Sequence, residues 1–352
     1  MIEGVKNNTI QISSLEVFTR PSPIKNRINE DAWLILESPG YLGSVVTAVI
    51  DGAGLRLPFQ ALSNKLQKMW PALTPSAFAT NIVKVSLLKQ FKQDPERPLR
   101  EALLTANQSL HQEIERLVGK IDFAGVFSEP DSFWISDLRN IRLILPACAI
   151  TLLRLDLVEG KMDFAHLGDT SLLEIRHDGK TIRHTSDQMG KFDRTAFEAI
   201  VEYQRKNKIP NFKEAVMSPD GRRFIIESGL HLNYVDKQGK TNKRKGCGVL
   251  NGLPEANDYI ETGTILIDPS QMLGFVLLSD GLELLPPLQE DDLQHNNRLN
   301  LIGEIVQHAG LRELYNAMSH MAEEDLLFDS YPRTKIMDDA TGIYLQIAKK
   351  DE

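Results

Sequence analysis

The chain has 352 residues, of which 42% are hydrophobic and 25% charged, with 48 acidic against 40 basic side chains. This composition excludes disordered, collagen-like and low-complexity proteins, and it leaves enough apolar material for a large core. The formal charge of −8 disfavours nucleic acid and anionic membranes as partners, and no apolar run reaches the ~18–20 residues of a membrane span.

The first part of the chain alternates between predicted strands and helices. Short apolar runs predict strands at Ala32–Leu36 and Gly43–Ile50. Apolar side chains at helical spacing then predict a helix that stops at Pro71, a second helix at residues 76–91 and a third that ends at Gly119. Each of these helices has one apolar face, which must pack against another layer.

After an irregular stretch at residues 120–145, patterns of period two return. They predict strands at Ala149–Leu155, Met162–His166 and Leu172–Arg176, joined by turns that contain Glu-Gly and Asp-Gly. We expect these three strands to be antiparallel neighbours in one sheet.

Residues 186–260 have a different character from the rest of the chain. The sequence predicts a short helix near Thr195–Gln204, a strand at Arg223–Glu227 and a solvated loop along the basic run Lys237–Lys245. We interpret this region as a flap-like insertion over the sheet rather than as a second core.

The last part of the chain returns to regular elements. Strands are predicted at Thr264–Ile267, Gly274–Ser279 and Thr341–Ile347, with helices at Leu301–His308 and from Leu311 to Met321. Strands at both ends with helices between them predict an α+β fold, in which mostly antiparallel sheets are covered by helices. We expect the first and last strands to share a sheet, which favours a single domain over residues 1–352.

The cysteines and the first residues bear on the compartment. Cys148 and Cys247 are too few for a disulfide framework and lack metal-site spacing, which is typical of a reducing compartment. The first 14 residues contain no apolar segment of the signal-peptide type. We therefore expect a cytoplasmic protein and, because no exposed apolar stripe is evident, a monomer.

Acidic residues recur at the ends of predicted strands. The five sites are Glu30-Asp31, Asp51-Gly52, Gly168-Asp169, Asp280-Gly281 and Asp338-Asp339. A single Asp-Gly pair is typical of an ordinary turn. Five carboxylate sites that converged would repel one another and would need a cation. Because the set contains no His or Cys, its oxygen atoms favour Mg²⁺ or Mn²⁺ over Zn²⁺.

In this order the motifs resemble those of the metal-dependent type 2C protein serine/threonine phosphatases, in particular a bacterial member. The segments are NEDA at 29–32, AVIDGAG at 48–54, LGDT at 167–170, LLSDGL at 277–282 and DDAT at 338–341. The resemblance covers nearly the whole chain. It implies a central antiparallel β-sandwich flanked by helices, an α-β-β-α arrangement of four layers with a two-metal centre at one end.

The resemblance also implies the metal ligands. Asp51 would bridge two Mg²⁺ or Mn²⁺ ions and would be a catalytic residue. Asp280 and Asp338 would complete the coordination of one ion, while the carbonyl of Gly52 and, through water, Glu30 would serve the other.

Further site residues follow from the same resemblance. Asp31 would be catalytic by supporting the metal-bound waters, and Arg27 would contact the phosphate, with Lys25 as the alternative. In many members an acid four residues after the Asp280 position helps the Asp169 position to hold a third ion. Leu284 stands at that place here, with Glu283 one residue earlier, so the interpretation that Asp169 only caps a turn stays open beside its assignment as a metal ligand.

Several other polar features are predicted to be structural. Cys148 lies in a strand-like apolar run and is interpreted as a buried core thiol, since no CxxxxxR nucleophile motif surrounds either cysteine. His166 is interpreted as a hydrogen-bonded structural histidine. Ala53 stands where many eukaryotic members have a histidine, so a histidine acid has no counterpart at this position.

Three functions stay open at this point. The first is hydrolysis of phosphoserine and phosphothreonine in proteins, the substrates of serine/threonine kinases, by water that two metal ions activate. The second is a catalytically weak relative that binds phosphoproteins as a regulatory module. The third is a metal-dependent hydrolase of small phosphate esters.

Overall fold

The structure is a computed structural model that describes residues 10–23, 28–37, 43–53, 74–118 and 145–349. In these ranges the chain forms ten strands and seven α-helices. The strands are β1 (Ile10–Arg20), β2 (Ala32–Glu37), β3 (Ser44–Asp51), β4 (Ala149–Asp156), β5 (Lys161–Leu167), β6 (Ser171–Arg176), β7 (Thr181–Arg183), β8 (Glu261–Leu266), β9 (Met272–Leu278) and β10 (Ala340–Lys349). The helices are α1 (Pro75–Gln93), α2 (Leu99–Val118), α3 (Gly190–Asn207), α4 (Phe212–Met217), α5 (Pro219–Ser228), α6 (Asp292–Ala309) and α7 (Leu311–Glu324).

The strands form two antiparallel sheets of five strands each. One sheet has the order β2-β3-β4-β5-β8 and the other β1-β10-β9-β6-β7. Apolar side chains from both sheets, among them Val49, Leu153, Phe275 and Ile343, form a common core between them. Helices α1 and α2 cover the outer face of the first sheet, and α6 and α7 cover that of the second. The predicted α+β sandwich of four layers is therefore confirmed.

Strand β9 shows why a strand of the sandwich carries apolar side chains on both of its faces. Phe275 and Leu277 point into the core between the sheets, whereas Val276 and Leu278 pack against the helices on the other side. Successive side chains of a strand point to opposite faces, so a strand covered on both sides needs a continuous apolar run. The run LGFVLL meets this requirement, and the acidic motif begins just after it.

The predicted grouping of three strands in one sheet is wrong for the third. β4 and β5 are antiparallel neighbours, but Leu172–Arg176 belongs to β6 in the other sheet. The chain crosses between the sheets through Gly168, whose φ of +103° is a conformation that favours glycine. A pattern of period two indicates a strand but does not indicate which sheet that strand joins.

Strand β1 was not predicted from the sequence. It is an edge strand that pairs only with β10, and several of its side chains are exposed, so its apolar signal is weak. The predicted first strand, Ala32–Leu36, lies in the other sheet, so the expectation that it shares a sheet with the last strand is wrong. The last strand pairs with the unpredicted β1 instead.

The segment 186–260 contains α3, α4 and α5. The predicted helix Thr195–Gln204 lies within α3, but the predicted strand Arg223–Glu227 is wrong, because these residues belong to helix α5. Ser218 caps this helix and Pro219 occupies its first turn, and these start signals outweigh the β-branched pair in the sequence FII. Buried Ile200, Phe212 and Phe328 form a small apolar cluster under the three helices.

Some predictions fall outside the described residues. They are the helix that stops at Pro71, the end of a helix at Gly119, nearly all of the irregular stretch 120–145, and the candidate phosphate ligands Arg27 and Lys25. Among the helices that the structure describes, none is both long and apolar enough to cross a membrane.

Candidate functional site

Strand pairing in the first sheet brings two of the acidic motifs together. Ala32 at the start of β2 pairs with Ile50 near the end of β3. Asp31 and Asp51 therefore lie at the same edge of the sheet, because antiparallel neighbours begin and end side by side.

The second sheet places three more acids at its corresponding edge. Leu278 at the end of β9 pairs with the first residue of β6 on one side and with a residue near the start of β10 on the other. The segments next to these strand ends carry Asp169, Asp280 and Asp338. The backbone N–H of Asp280 donates to Asp51 Oδ2 over 3.4 Å and so connects the two sheets at this edge.

Ser279 holds the carboxylate of Asp31. Its hydroxyl donates to Asp31 Oδ2 at 2.8 Å and accepts the backbone N–H of Thr341 at 2.9 Å. Because Ser279 is fully buried between β9 and β10, its hydroxyl has few alternative partners. The orientation of Asp31 is therefore set by the sheet opposite to its own.

Asp339, for which the sequence indicated no role of its own, fixes the backbone beside Asp31. Its two oxygen atoms accept the N–H groups of Ser22 at 2.6 Å and of Glu30 at 2.8 Å. The side chain is only 2% exposed. In the pair Asp338-Asp339, the second acid thus holds the Glu30 segment in place and the first faces the cluster.

Gly52 allows a close approach between two segments of the site. A Cβ at this position would lie 2.6 Å from the carbonyl oxygen of Glu30 and 2.9 Å from the Cβ of Ser76 at the start of α1. Any larger residue would push these segments apart, so the glycine is required by packing as well as suited to present its carbonyl.

Crowding of carboxylates changes their acidity. Burial raises the pKa of Asp31 to about 7, and repulsion by Asp280 and Asp339 adds to the effect while the hydrogen bond from Ser279 opposes it. The pKa of Asp51 is raised well above its usual value, first by burial and then by Asp280, Asp31 and Asp169. The folded protein therefore concentrates negative charge that its own cations offset only in part.

The chemistry of this donor set fits a hard divalent cation. The converging groups are carboxylates and a backbone carbonyl, and the repulsion between the acids is the condition that such an ion relieves. Within the described ranges, however, no three His, Cys, Asp or Glu side chains stand in an arrangement that could hold a metal ion. Asp338 instead forms an ion pair with Lys335, while Asp31 and Asp51 accept hydrogen bonds from Ser279 and from the backbone of Asp280.

A groove of about 710 Å³ opens beside the acidic cluster. Asp169, Asp280 and Asp338 are among its lining residues, as are residues of α3 and α5 from segment 186–260. Half-exposed apolar side chains line much of the rest, among them Ile225 and Leu285. The groove therefore connects the carboxylates with a surface that could contact a polypeptide.

The family of the chain follows from a match over most of its length. A family model described as Protein phosphatase 2C matches residues 24–323, which include four of the five acidic motifs. The chain belongs to the protein phosphatase 2C family. No curated protein matches the sequence of this phosphatase 2C relative.

Solved structures of similar architecture accompany the family match. The serine/threonine phosphatase of S. agalactiae is 12% identical, with 96% of this chain and 99% of that chain covered and a TM-score of 0.46. The Mycobacterium tuberculosis serine/threonine phosphatase PstP/Ppp is 15% identical, with 97% and 99% covered and a TM-score of 0.44. RsbX in complex with magnesium is 11% identical, with 96% and 100% covered and a TM-score of 0.46.

Glu283 is not available as a substitute for the acid that Leu284 replaces in this phosphatase 2C protein. Its carboxylate accepts a hydrogen bond from Ser171 and pairs with Arg183 and Arg298 at 3.5 and 3.6 Å. These partners direct it into the protein.

Two acids of segment 186–260 were missed by sequence reasoning. Asp187 and Asp193 line the groove, and after burial and Asp280 they are the groups that raise the pKa of Asp169. Neither follows a strand, so neither carried the pattern by which the five motifs were recognised. The position of α3 and of the loop before it brings them to the groove.

Asp193 offers a test of this electrostatic crowding. Burial, and then repulsion by Asp187 and Asp280, raise its pKa from 3.8 to about 7. The charged carboxylate therefore destabilises the folded state above pH 7. This cost disappears as the pH falls toward 3.8, where the unfolded chain is protonated as well. In EDTA we expect Asp193→Asn to raise Tm by about 2–4 °C at pH 8 and to leave it unchanged at pH 4. The exposed Asp178→Asn should give no gain at pH 8, and an equal gain there would contradict the explanation.

The structural roles predicted for two other residues are confirmed. His166 is fully buried, with Nδ1 at 3.0 Å from the Thr151 hydroxyl and Nε2 at 2.9 Å from the Ser186 carbonyl oxygen. Burial lowers its pKa to about 4, which keeps the ring neutral. Cys148 is fully buried in the core, and burial raises the pKa of its thiol, so it is unsuited to be a nucleophile.

Arg333 organises the loop that leads to Asp338. Its guanidinium pairs with Asp325 Oδ2 at 2.9 Å and lies 4.1 Å from the ring centre of Phe328. It also donates to the backbone carbonyls of Ala322, Asp325, Tyr331 and Ile336. Phe328 belongs to the apolar cluster of segment 186–260, so this arginine ties that segment to the loop before β10.

Proposed function

We propose that this protein is a Mg²⁺- or Mn²⁺-dependent phosphatase that hydrolyses phosphoserine and phosphothreonine in other proteins. Membership of the phosphatase 2C family supports the proposal. The observation that carries it is the convergence of Asp31, Asp51 and Asp280 where the two sheets meet, with mutual repulsion that a cation would relieve.

The residues that would hold the ions are those of the acidic edge. Asp51 would bridge two ions, with Asp280 and Asp338 on one side and Gly52 and Glu30 on the other. When bound, such ions supply a water of lowered pKa and a positive field for the phosphoryl oxygens. A third ion at Asp169 would need a further acid from elsewhere in the chain, because Leu284 has no ligand atom and Glu283 is paired with arginine side chains.

The chain's own groups would then position the reactants. Asp31, fixed by the Ser279 hydroxyl, would accept a hydrogen bond from the attacking water and orient it. The carboxylate of Asp339 would hold Glu30 in position by accepting a hydrogen bond from the backbone N–H of Glu30. Arg27, which precedes Glu30 by three residues, would bind the phosphate group, because a guanidinium can donate two parallel hydrogen bonds to it.

The side chains that line the groove favour a protein over a small ester as the substrate. Away from the acidic cluster, two pairs of the groove's charged side chains neutralise each other, since Arg298 pairs with Glu290 and Arg183 with Glu283. Beside the acidic cluster the groove also offers a ligand apolar side chains and the exposed Arg194 of α3, for which the described ranges show no ion pair or hydrogen bond. Such a lining suits an extended peptide better than a small, wholly polar ester.

Metal dependence is the first test of the proposed function. We expect hydrolysis of an aryl phosphate and of a phosphoserine peptide to rise with Mn²⁺ or Mg²⁺ concentration to a plateau and to stop in excess EDTA, because the carboxylates alone cannot activate water. Release of inorganic phosphate measures both reactions, and readdition of Mn²⁺ after EDTA is the control for unfolding. Activity that persists in EDTA would refute the metal mechanism.

One observation favours the second function, a regulatory module that binds phosphoproteins without turnover. Asp338 is paired with Lys335, and no ready-made metal site is present among the described residues. Isothermal titration calorimetry with a phosphoserine peptide separates the two functions. A regulatory module would bind the peptide in EDTA and release no phosphate when Mn²⁺ is added, whereas the enzyme would release it.

The third function, hydrolysis of small phosphate esters, is separated by comparing substrates. A protein phosphatase should give a higher kcat/KM with phosphopeptides, because only a peptide fills the groove and gains its binding energy. Equal values for peptides and for small esters would favour the esterase.

A further inference from the structure

Lys335 places a positive charge among the acids at the edge of the sandwich. Its Nζ forms an ion pair with Asp338 Oδ2, and the side chains of the two residues are 27% and 17% exposed. The same ammonium group lowers the pKa of Asp51, while burial and the surrounding carboxylates raise it. Lys335 thus acts on two acids that the proposed function assigns to the metal ions.

The backbone around Lys335 is held in place from both sides. Arg333 donates to the carbonyl oxygen of Ile336 at 3.3 Å, and the N–H of Asp339 donates to Asp338 Oδ1 at 2.9 Å. Within the described ranges Asp338 is the acid with which Lys335 pairs. The ammonium group is therefore tethered at the cluster, three residues before the carboxylate that it neutralises.

We propose that Lys335 is an internal counter-cation that competes with divalent ions for Asp338. Its ammonium group neutralises the cluster while no ion is bound, and it moves into the groove when an ion takes its place. The proposal rests on the metal centre of the proposed function and adds a residue that sets the affinity of that centre.

Competition and mere orientation predict opposite effects on metal affinity. If Lys335 competes, breaking its ion pair is part of metal binding, so its removal tightens binding. If Lys335 instead holds Asp338 in a geometry that the metal needs, its removal weakens binding. In either case the metal-free variant lacks a positive charge that offsets the repulsion between the carboxylates, so it should be less stable in EDTA than the wild-type protein.

The experiment compares the wild-type protein with Lys335→Met, which keeps the length of the side chain and removes its charge. Isothermal titration calorimetry with MnCl₂ measures Kd, and thermal unfolding in EDTA measures Tm. We expect the variant to bind Mn²⁺ about three- to tenfold more tightly, as for a partly exposed ion pair, and to unfold at a lower temperature in EDTA. Lys180→Met, which removes an exposed lysine paired with Asp178, controls for the change in net charge.

The outcomes are distinct. A lower Kd for Mn²⁺ in Lys335→Met, with the Kd of Lys180→Met equal to that of the wild-type protein, supports competition. Binding of Mn²⁺ by Lys335→Met when the wild-type protein binds none supports it as well. An unchanged or larger Kd in Lys335→Met overturns it while leaving the metal centre intact. If neither protein binds Mn²⁺, both the role of Lys335 and the proposed function are refuted.

Discussion

Replacement of Asp51 by Asn is expected to lower the rate of phosphate release by about 10³-fold or more, as for the loss of a group that stabilises charge at the reacting centre. Asp51 lies at the end of β3 and is connected through its Oδ2 to the backbone of Asp280 in the other sheet. Burial and three neighbouring carboxylates act together to raise its pKa. An amide keeps the shape but cannot bridge two cations.

The fold should survive this substitution. Because the pKa of Asp51 is raised, its charge destabilises the folded protein at neutral pH when no metal is bound, so Asp51→Asn should match or exceed the wild-type Tm in EDTA. Asp292→Asn removes the same charge from an exposed acid at the start of α6 that does not line the groove, and it should keep full activity. Undiminished phosphate release by Asp51→Asn, measured over a range of Mn²⁺ concentrations, would refute the assignment of Asp51 as a ligand of two metal ions.

Replacement of Arg333 by Met is expected to lower the free energy of unfolding by about 3–5 kcal/mol, the usual cost of breaking a buried ion pair by removing one partner. Arg333 and Asp325 are 10% and 8% exposed as side chains, and burial lowers the pKa of the arginine. Its loss would leave Asp325 unpaired and several carbonyl groups without a donor. Urea unfolding, with the midpoint and slope fitted together, measures the change.

Arg223→Met provides the matched control for that experiment. Arg223 pairs with Glu227 on the surface of α5, where the two side chains are 63% and 41% exposed. Such a pair is worth less than about 1 kcal/mol, so the control should unfold almost as the wild-type protein does. Equal losses in the two variants would contradict the central role given to Arg333.

The acidic edge could be predicted from the sequence because its members follow or precede strongly apolar strands. A run such as LGFVLL fixes a strand, and the residue after a strand lies at the edge of a sheet. Asp187, Asp193 and Lys335 could not be found in this way, since none of them directly follows or precedes a strongly apolar strand. Their place in the site depends on tertiary contacts that pair distant parts of the chain.

The errors in the predicted fold have the same origin. Strand β1 has polar side chains on its exposed face and was missed, although its pairing with β10 helps to complete the second sheet. Arg223–Glu227 was predicted as a strand from three apolar residues, although the Ser218-Pro219 helix start lies just before it. Local composition indicates where an element is, whereas capping and sheet partners decide what it becomes.

The pairing of β1 with β10 also bears on when the acidic edge can assemble during synthesis. Residues 10–20 leave the ribosome long before their partners at 340–349 are translated. Until then the second sheet lacks an inner strand, and Asp338 and Asp339 have no anchored position. A nascent chain that has not yet reached β10 therefore carries most of the acids without the assembled acidic edge.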